Sequence, residues 1–122
     1  MSFDAGDVVI VPFPFTDRDA AKRRPALVLS SAESFGRATG QAVLAMITSA
    51  RHSNWPLDVP VTDLASAGLP NPCLVRMKLF TLDERLILRT SGRLHATDRQ
   101  EVSAALGTLL GQDTLPIAGD LA

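Results

Sequence analysis

Residues 7–15 read DVVIVPFPF, and they narrow the possible folds more than any other part of the chain. Val8, Val9, Ile10 and Val11 are β-branched, and such side chains suit a pleated strand better than a helix. Pro12 and Pro14 carry no N–H for a ladder, so the strand frays or lies at an edge by that point. Gly6-Asp7 marks a turn just before it. The rest of the chain repeats this scale. Short apolar runs follow at 25–31, 42–49, 57–61, 73–81 and 86–94, each bounded by Gly, Pro or polar clusters. Pro60 makes 57–61 an edge strand, and Gly92 bends or bulges the last run. Six or seven short strands at fairly regular spacing predict a mainly β fold, a small sandwich or barrel.

Between these runs, 16–24 reads as a polar loop, 32–40 as a loop or short helical turn, and 62–72 as a connection. A turn is expected at Asp83-Glu84. One helix closes the pattern. Thr97 can cap it, with Gln100 completing a capping box. Val102, Ala105, Leu106, Leu109 and Leu110 form one apolar stripe, Asp98 and Glu101 lie near the positive end of the helix dipole, and Gly111 is a stop. The expected organisation is a single domain over 1–111 with a flexible tail over 112–122. At 122 residues there is room for one domain with a real core.

Composition removes several function classes. Hydrophobic residues make up 46% and charged residues 20%, which excludes a disordered chain. No apolar run approaches the roughly 20 residues of a membrane span. The first residues lack the basic and apolar regions of a signal peptide. Cys73 stands alone, so no internal disulfide or multi-cysteine zinc site is expected, and His52 and His95 are too few to suggest a metal cluster. A cytoplasmic protein without metal or cofactor is the expectation. The charges, 12 basic and 13 acidic, are unevenly placed. Residues 18–51 hold Arg18, Lys22, Arg23, Arg24, Arg37 and Arg51 against Asp19 and Glu33. That suits an anionic ligand at one site, although charge alone fits solvated loops better.

No phosphate-binding glycine loop, dinucleotide fingerprint, HExxH or GxSxG is present. Arg, Lys, Thr and Ser fit chemistry whose difficulty is anionic charge at phosphorus. RNA cleavage by its own 2′-hydroxyl is such a reaction, because the substrate supplies the nucleophile and the protein supplies alignment and charge. Arg24, between a cationic loop and a strand fixed by Pro25, can fork onto two phosphate oxygens; pairing with an acid is its plainer use. Thr48, at the end of the third strand, can donate a hydrogen bond without bringing a charge; capping the strand is its plainer use. Arg76 and Lys78 alternate with Val75, Met77 and Leu79, so if those three fill the core both cations point outward. Trp55 can stack a base or cover the core; His52 in the same loop reads as merely exposed.

Gly6-Asp7-Val8-Val9, Phe13-Pro14-Phe15-Thr16-Asp17 and Lys22-Arg23-Arg24-Pro25-Ala26-Leu27-Val28-Leu29-Ser30 together resemble the opening of the MazF/PemK toxins, in the PemK-like branch. Ile47-Thr48-Ser49, Gly68-Leu69, Cys73-Leu74-Val75-Arg76, Leu79-Phe80-Thr81-Leu82 and Gly92-Arg93-Leu94 extend the resemblance to about residue 111. It implies a small SH3-like β-barrel with a C-terminal helix, forming a homodimer. It also implies a metal-independent ribonuclease that cuts single-stranded mRNA at a short sequence, leaving a 2′,3′-cyclic phosphate and a 5′-hydroxyl. The implied partner is an antitoxin whose extended segment occupies the RNA groove.

Carried over position by position, the catalytic pair is Arg24 and Thr48, and a further arginine falls on Arg76. The implied RNA contacts are Arg18, Lys22, Arg23, Ser49, Trp55, Arg76 and Lys78. Two features depart from the pattern: Lys78 stands where some members carry an acid, and loop 16–23 lacks the histidine found in others. The general base is therefore unassigned, and the rival reading is a non-catalytic module that binds RNA or a peptide on the same barrel.

Overall fold

The computed structural model describes residues 2–14, 22–51 and 54–112. Its elements are β1 (Asp7–Phe13), β2 (Lys22–Val28), a helical turn Ala32–Gly36 running into α1 (Arg37–Thr39), β3 (Gln41–Ser49), β4 (Val59–Pro60), α2 (Leu64–Ala67), β5 (Cys73–Asp83), a turn Glu84–Leu86, β6 (Arg89–Arg93) and α3 (Ala96–Leu109). The six strands form one antiparallel sheet in the order β4-β5-β3-β2-β1-β6, curled into a half-barrel.

Side chains alternate across a strand, and here both faces of the sheet are covered. One core gathers Val8, Leu27, Ala45, Ile47, Val75 and Met77 with Leu94 and with Val102 of α3. The other gathers Val9, Val11, Ala26, Val28, Leu44 and Leu82. β1 feeds both cores, which is why it reads as a continuous apolar run rather than an alternation.

The half-barrel is closed by backbone contact between α2 and β6. A Cβ on Gly68 would lie 2.1 Å from the Ser91 carbonyl oxygen, and one on Gly92 would lie 2.3 Å from that of Ser66. Only glycine permits this approach. The Ser91 hydroxyl donates to the Ala67 carbonyl at 3.0 Å. Val8 lies opposite Gly92 and Val9 opposite Thr90, so Ser91 is the extra residue of a bulge. α3 is anchored by Asp98, which is 1% exposed. Its carboxylate accepts from the Thr62 N–H (2.9 Å), the Thr62 hydroxyl (2.7 Å) and the Asp63 N–H (3.2 Å).

Five details differ from the sequence-based expectations. Lys22–Arg24, expected in a loop, belong to β2 and face Phe13, Pro12 and Val11 across the β1 ladder. That pairing is made by backbone groups, so charged side chains do not prevent it. A short helix, α2, interrupts the expected connection; the Asp63 carboxylate caps it by accepting from the Ser66 N–H at 3.0 Å. The last strand is shorter than expected, because Glu84–Leu86 form a turn and pairing begins at Arg89. The cap of α3 is His95, whose Nδ1 accepts from the Thr97 N–H at 3.2 Å, and not Thr97 itself. Val102, Ala105 and Leu106 pack on the core, whereas Leu109 and Leu110 are exposed, lying beyond Leu106. Gly111 has φ +71°, as a helix stop requires. Of the expected tail, residues 113–122 lie outside the described residues.

Candidate active cleft

The β2–β3 ladder pairs Val28 with Leu44, Leu27 with Ala45 and Ala26 with Met46, and ends there. The next residue of β2 is Pro25, which has no N–H to donate. Lys22–Pro25 continue paired to β1 alone, and Ile47–Ser49 continue paired to β5 alone. The two strands fork, and the fork is a cleft of about 620 Å³. Arg23, Arg24 and Pro25 form one wall, and Ile47, Thr48 and Ser49 form the other. Arg51 and residues 69–73 complete the rim. Because the opening lies between strands, neighbours that point to opposite faces of a strand both reach it: Arg23 with Arg24, and Ile47 with Thr48.

Arg24 is half-buried, with its guanidinium carbon 4.9 Å from the centroid of the Phe13 ring. Its Nε is buried without a hydrogen-bond partner. A buried N–H without an acceptor costs about 1–3 kcal/mol, and an anion entering the cleft would offset that cost. Arg23, Arg24 and Arg51 make no ion pair with a described acid, whereas Arg76, Arg85 and Arg93 are paired with Asp58, Asp83 and Asp7. The Ser49 hydroxyl accepts from the Arg51 N–H at 3.3 Å and shapes the turn at the rim. Burial raises the pKa of the Cys73 thiol, which lies 3.0 Å from the Asn71 carbonyl oxygen. Cys73 is thus a protonated wall residue at neutral pH and not a nucleophile.

Trp55, Arg76 and Lys78 form a separate cluster that does not line this cleft. The Arg76 side chain grips Asp58 through two bonds, Nη2 to Oδ2 at 2.8 Å and Nε to Oδ1 at 3.1 Å. Both side chains are nearly covered, 13% and 12% exposed, and the bond to Asp58 raises the Arg76 pKa further. Trp55 is 41% exposed. The Arg76 guanidinium carbon lies 5.6 Å and the Lys78 Nζ 4.7 Å from its ring centroid. Met46 pairs with Arg76 but Ala45 with Leu79, so β5 slips register at Met77-Lys78. That slip breaks the period of two: Val75 and Met77 are buried, while Leu79 is 38% exposed and not in the core.

The structure therefore brings Arg23, Arg24, Thr48 and Ser49 to one cleft and places Trp55, Arg76 and Lys78 in another cluster. Lys22 is exposed at the start of β2, next to the cleft wall. Arg18 and His52 lie outside the described residues. Sequence reasoning passed over Arg51 as a cleft residue and Asp58 as the partner of Arg76. Among the described residues, no group of three or more His, Cys, Asp or Glu is placed to hold a metal. No described helix is long and apolar enough to cross a membrane.

Solved structures share this architecture. A MazF from Deinococcus radiodurans is 31% identical, with TM-score 0.70, over 91% of this chain and 98% of that one. A MazE-MazF structure from the same organism is 30% identical, with TM-score 0.71, over 91% of this chain and 97% of that one. The Mycobacterium tuberculosis toxin MazF-mt6, at 24% identity and TM-score 0.66, covers 85% of this chain and 95% of its own and shares the fold. No curated protein sequence matches. The family model of the PemK-like, MazF-like toxins of type II toxin-antitoxin systems matches residues 4–110. With the forked barrel and these relatives, that match over most of the chain assigns the protein to the PemK-like, MazF-like toxin family.

Proposed function

We propose that this toxin is an endoribonuclease that cuts single-stranded mRNA without a metal ion. Unpaired bases can be splayed for reading, which a duplex does not allow. The 2′-hydroxyl loses its proton to water as its oxygen attacks the adjacent phosphorus, the bond to the 5′-oxygen breaks, that oxygen takes up a proton, and the products are a 2′,3′-cyclic phosphate and a 5′-hydroxyl. Arg24 stabilises the charge gathering on the phosphoryl oxygens and donates a proton toward the leaving oxygen. The Thr48 hydroxyl donates a hydrogen bond to the same phosphoryl group from the opposite wall. The Arg24 guanidinium carries only donors and has no lone pair for the 2′ proton, which passes to water. Lys22, Arg23, Ser49 and Arg51 flank the phosphate, and Trp55 offers a face for stacking a base. The observation that carries this reading is the buried Arg24 Nε, without an acceptor, on the wall facing Thr48.

The reading extends to partners. The toxin acts as a cytoplasmic homodimer, with RNA in a groove at the interface, and a cognate antitoxin silences it by laying an extended segment along that groove. The Deinococcus radiodurans structure that pairs MazE with MazF supports such a partner.

The test is incubation of the purified protein with cellular RNA in excess EDTA, followed by end-group analysis. Cleavage in EDTA with cyclic-phosphate and 5′-hydroxyl ends is expected. Intact RNA, under conditions where the protein demonstrably binds it, would replace this reading with the non-catalytic binding module.

A further inference from the structure

The cleft does not end at Pro25. A second cavity of about 450 Å³ shares Arg23, Pro25, Leu69 and Pro70 with the first and runs on past Ile10 to Arg89. The strand register explains the continuity. Ile10 lies opposite Pro25 on one side and opposite Arg89 on the other, so the three form a row across β2, β1 and β6. Directly opposed residues share a face of the sheet. Two strand spacings put the Arg89 backbone about 10 Å from that of Pro25. Arg89 is exposed and makes no ion pair with a described acid. The floor between the two ends is apolar, made by Pro25, Ile10 and Pro70.

We infer that this row is a second nucleotide subsite, in which Arg89 holds a phosphate flanking the one that is cut. The inference rests on the ribonuclease reading above. A cation at the far end of an apolar floor matches the alternation of phosphate and base along a single strand. Arg23, common to both cavities, bridges the two phosphates. Arg89 touches no reacting atom: it sets the register of the strand and adds affinity for RNA long enough to reach it.

The experiment uses the full chain and an RNA carrying its mapped cut site, trimmed one nucleotide at a time from each end. Wild-type protein is expected to lose about tenfold in kcat/KM at one trimming step on one flank, through KM. Arg89→Ala is expected to show that same loss on the untrimmed RNA, to show no further loss at that step, and to cut the shortest substrate like wild type. Its binding to the long RNA should also lose about 0.7 from the slope of log affinity against log salt, one phosphate contact on a single strand. Arg89→Lys should recover part of both.

Equal kinetics of Arg89→Ala and wild type on long RNA would overturn the subsite. So would a loss of equal size on the longest and shortest substrates. Unchanged RNA kinetics with weakened antitoxin binding would reassign the row to the protein partner and overturn the RNA assignment. If wild type cuts no RNA at all, the ribonuclease reading itself fails, a result separate from any failure of Arg89.

Discussion

Arg24 and Arg76 are both arginines on strands, each stacked against an aromatic ring, and they differ in one respect. Arg76 lies by Trp55 and is held by a carboxylate through two hydrogen bonds. Arg24 lies by Phe13, and its Nε meets no acceptor. A guanidinium already paired with a carboxylate has spent its fork geometry and most of its charge, so it orders the loop around it. A guanidinium held in place by a ring and left unpaired keeps that fork for a ligand. By this criterion the proposed charge stabilisation falls to Arg24, while Arg76 is held to Asp58 beside the Trp55 ring.

The largest expected effect is at the unpaired arginine. Arg24→Ala should lower single-turnover cleavage by on the order of 10²–10³, the usual consequence of removing one preorganised donor from developing charge. The melting temperature should stay near that of wild type, because no ion pair with a described acid is broken. Arg24→Lys should recover little, since a point charge does not fork onto two oxygens. Wild-type cleavage by Arg24→Ala would break the contrast between the two arginines outright.

An intermediate effect is expected at the paired one. Asp58→Ala leaves a nearly covered guanidinium without its carboxylate, and the melting temperature should fall by about 5 °C. The released Arg76 should also strengthen RNA binding in a salt-dependent, sequence-indifferent way. Thermal melts and anisotropy titrations at several salt concentrations read the two effects separately. If Asp58→Ala melts like wild type and gains no RNA affinity, Arg76 is not spent on Asp58, and the division between the two clusters falls.

How much of this was legible beforehand follows from the range of the interactions. The β1 run announced itself because four β-branched residues sit together and both faces of the strand are buried. Gly111 was legible because a helix stop is local chemistry. Lys22–Arg24 were not legible as strand, since their pairing is with β1 through backbone groups and their side chains carry no period. α2 is only Leu64–Ala67, too short for any periodicity. At the site, Arg24 and Thr48 could be singled out from their places at strand ends and from the family resemblance. The Asp58 partnership could not, because it spans 18 positions and no local pattern marks it. Arg89 joins the cleft only through the register of three strands, a fact no single segment contains.

The smallest expected effect belongs to a third pair, which has the same chemistry as Asp58–Arg76 without its burial. Arg85 holds Asp83 with Nη2 to Oδ2 at 2.8 Å, but its side chain is 90% exposed. The side-chain hydrogen bonds from Arg85, followed by its backbone N–H, lower the Asp83 pKa from 3.8 to about 2. A carboxylate whose folded pKa is depressed contributes stability above its unfolded value and loses it as pH falls through the folded one. The contribution is therefore complete at neutral pH, declines below about pH 5 and is gone near pH 2. Asp83→Asn should cost about 1 °C in melting temperature at pH 7, since water screens exposed pairs, and that gap should close as the pH is lowered toward 2. A gap at pH 7 as wide as that of Asp58→Ala would mean that burial does not separate the two pairs, and that the carboxylate alone decides what an arginine is free to do.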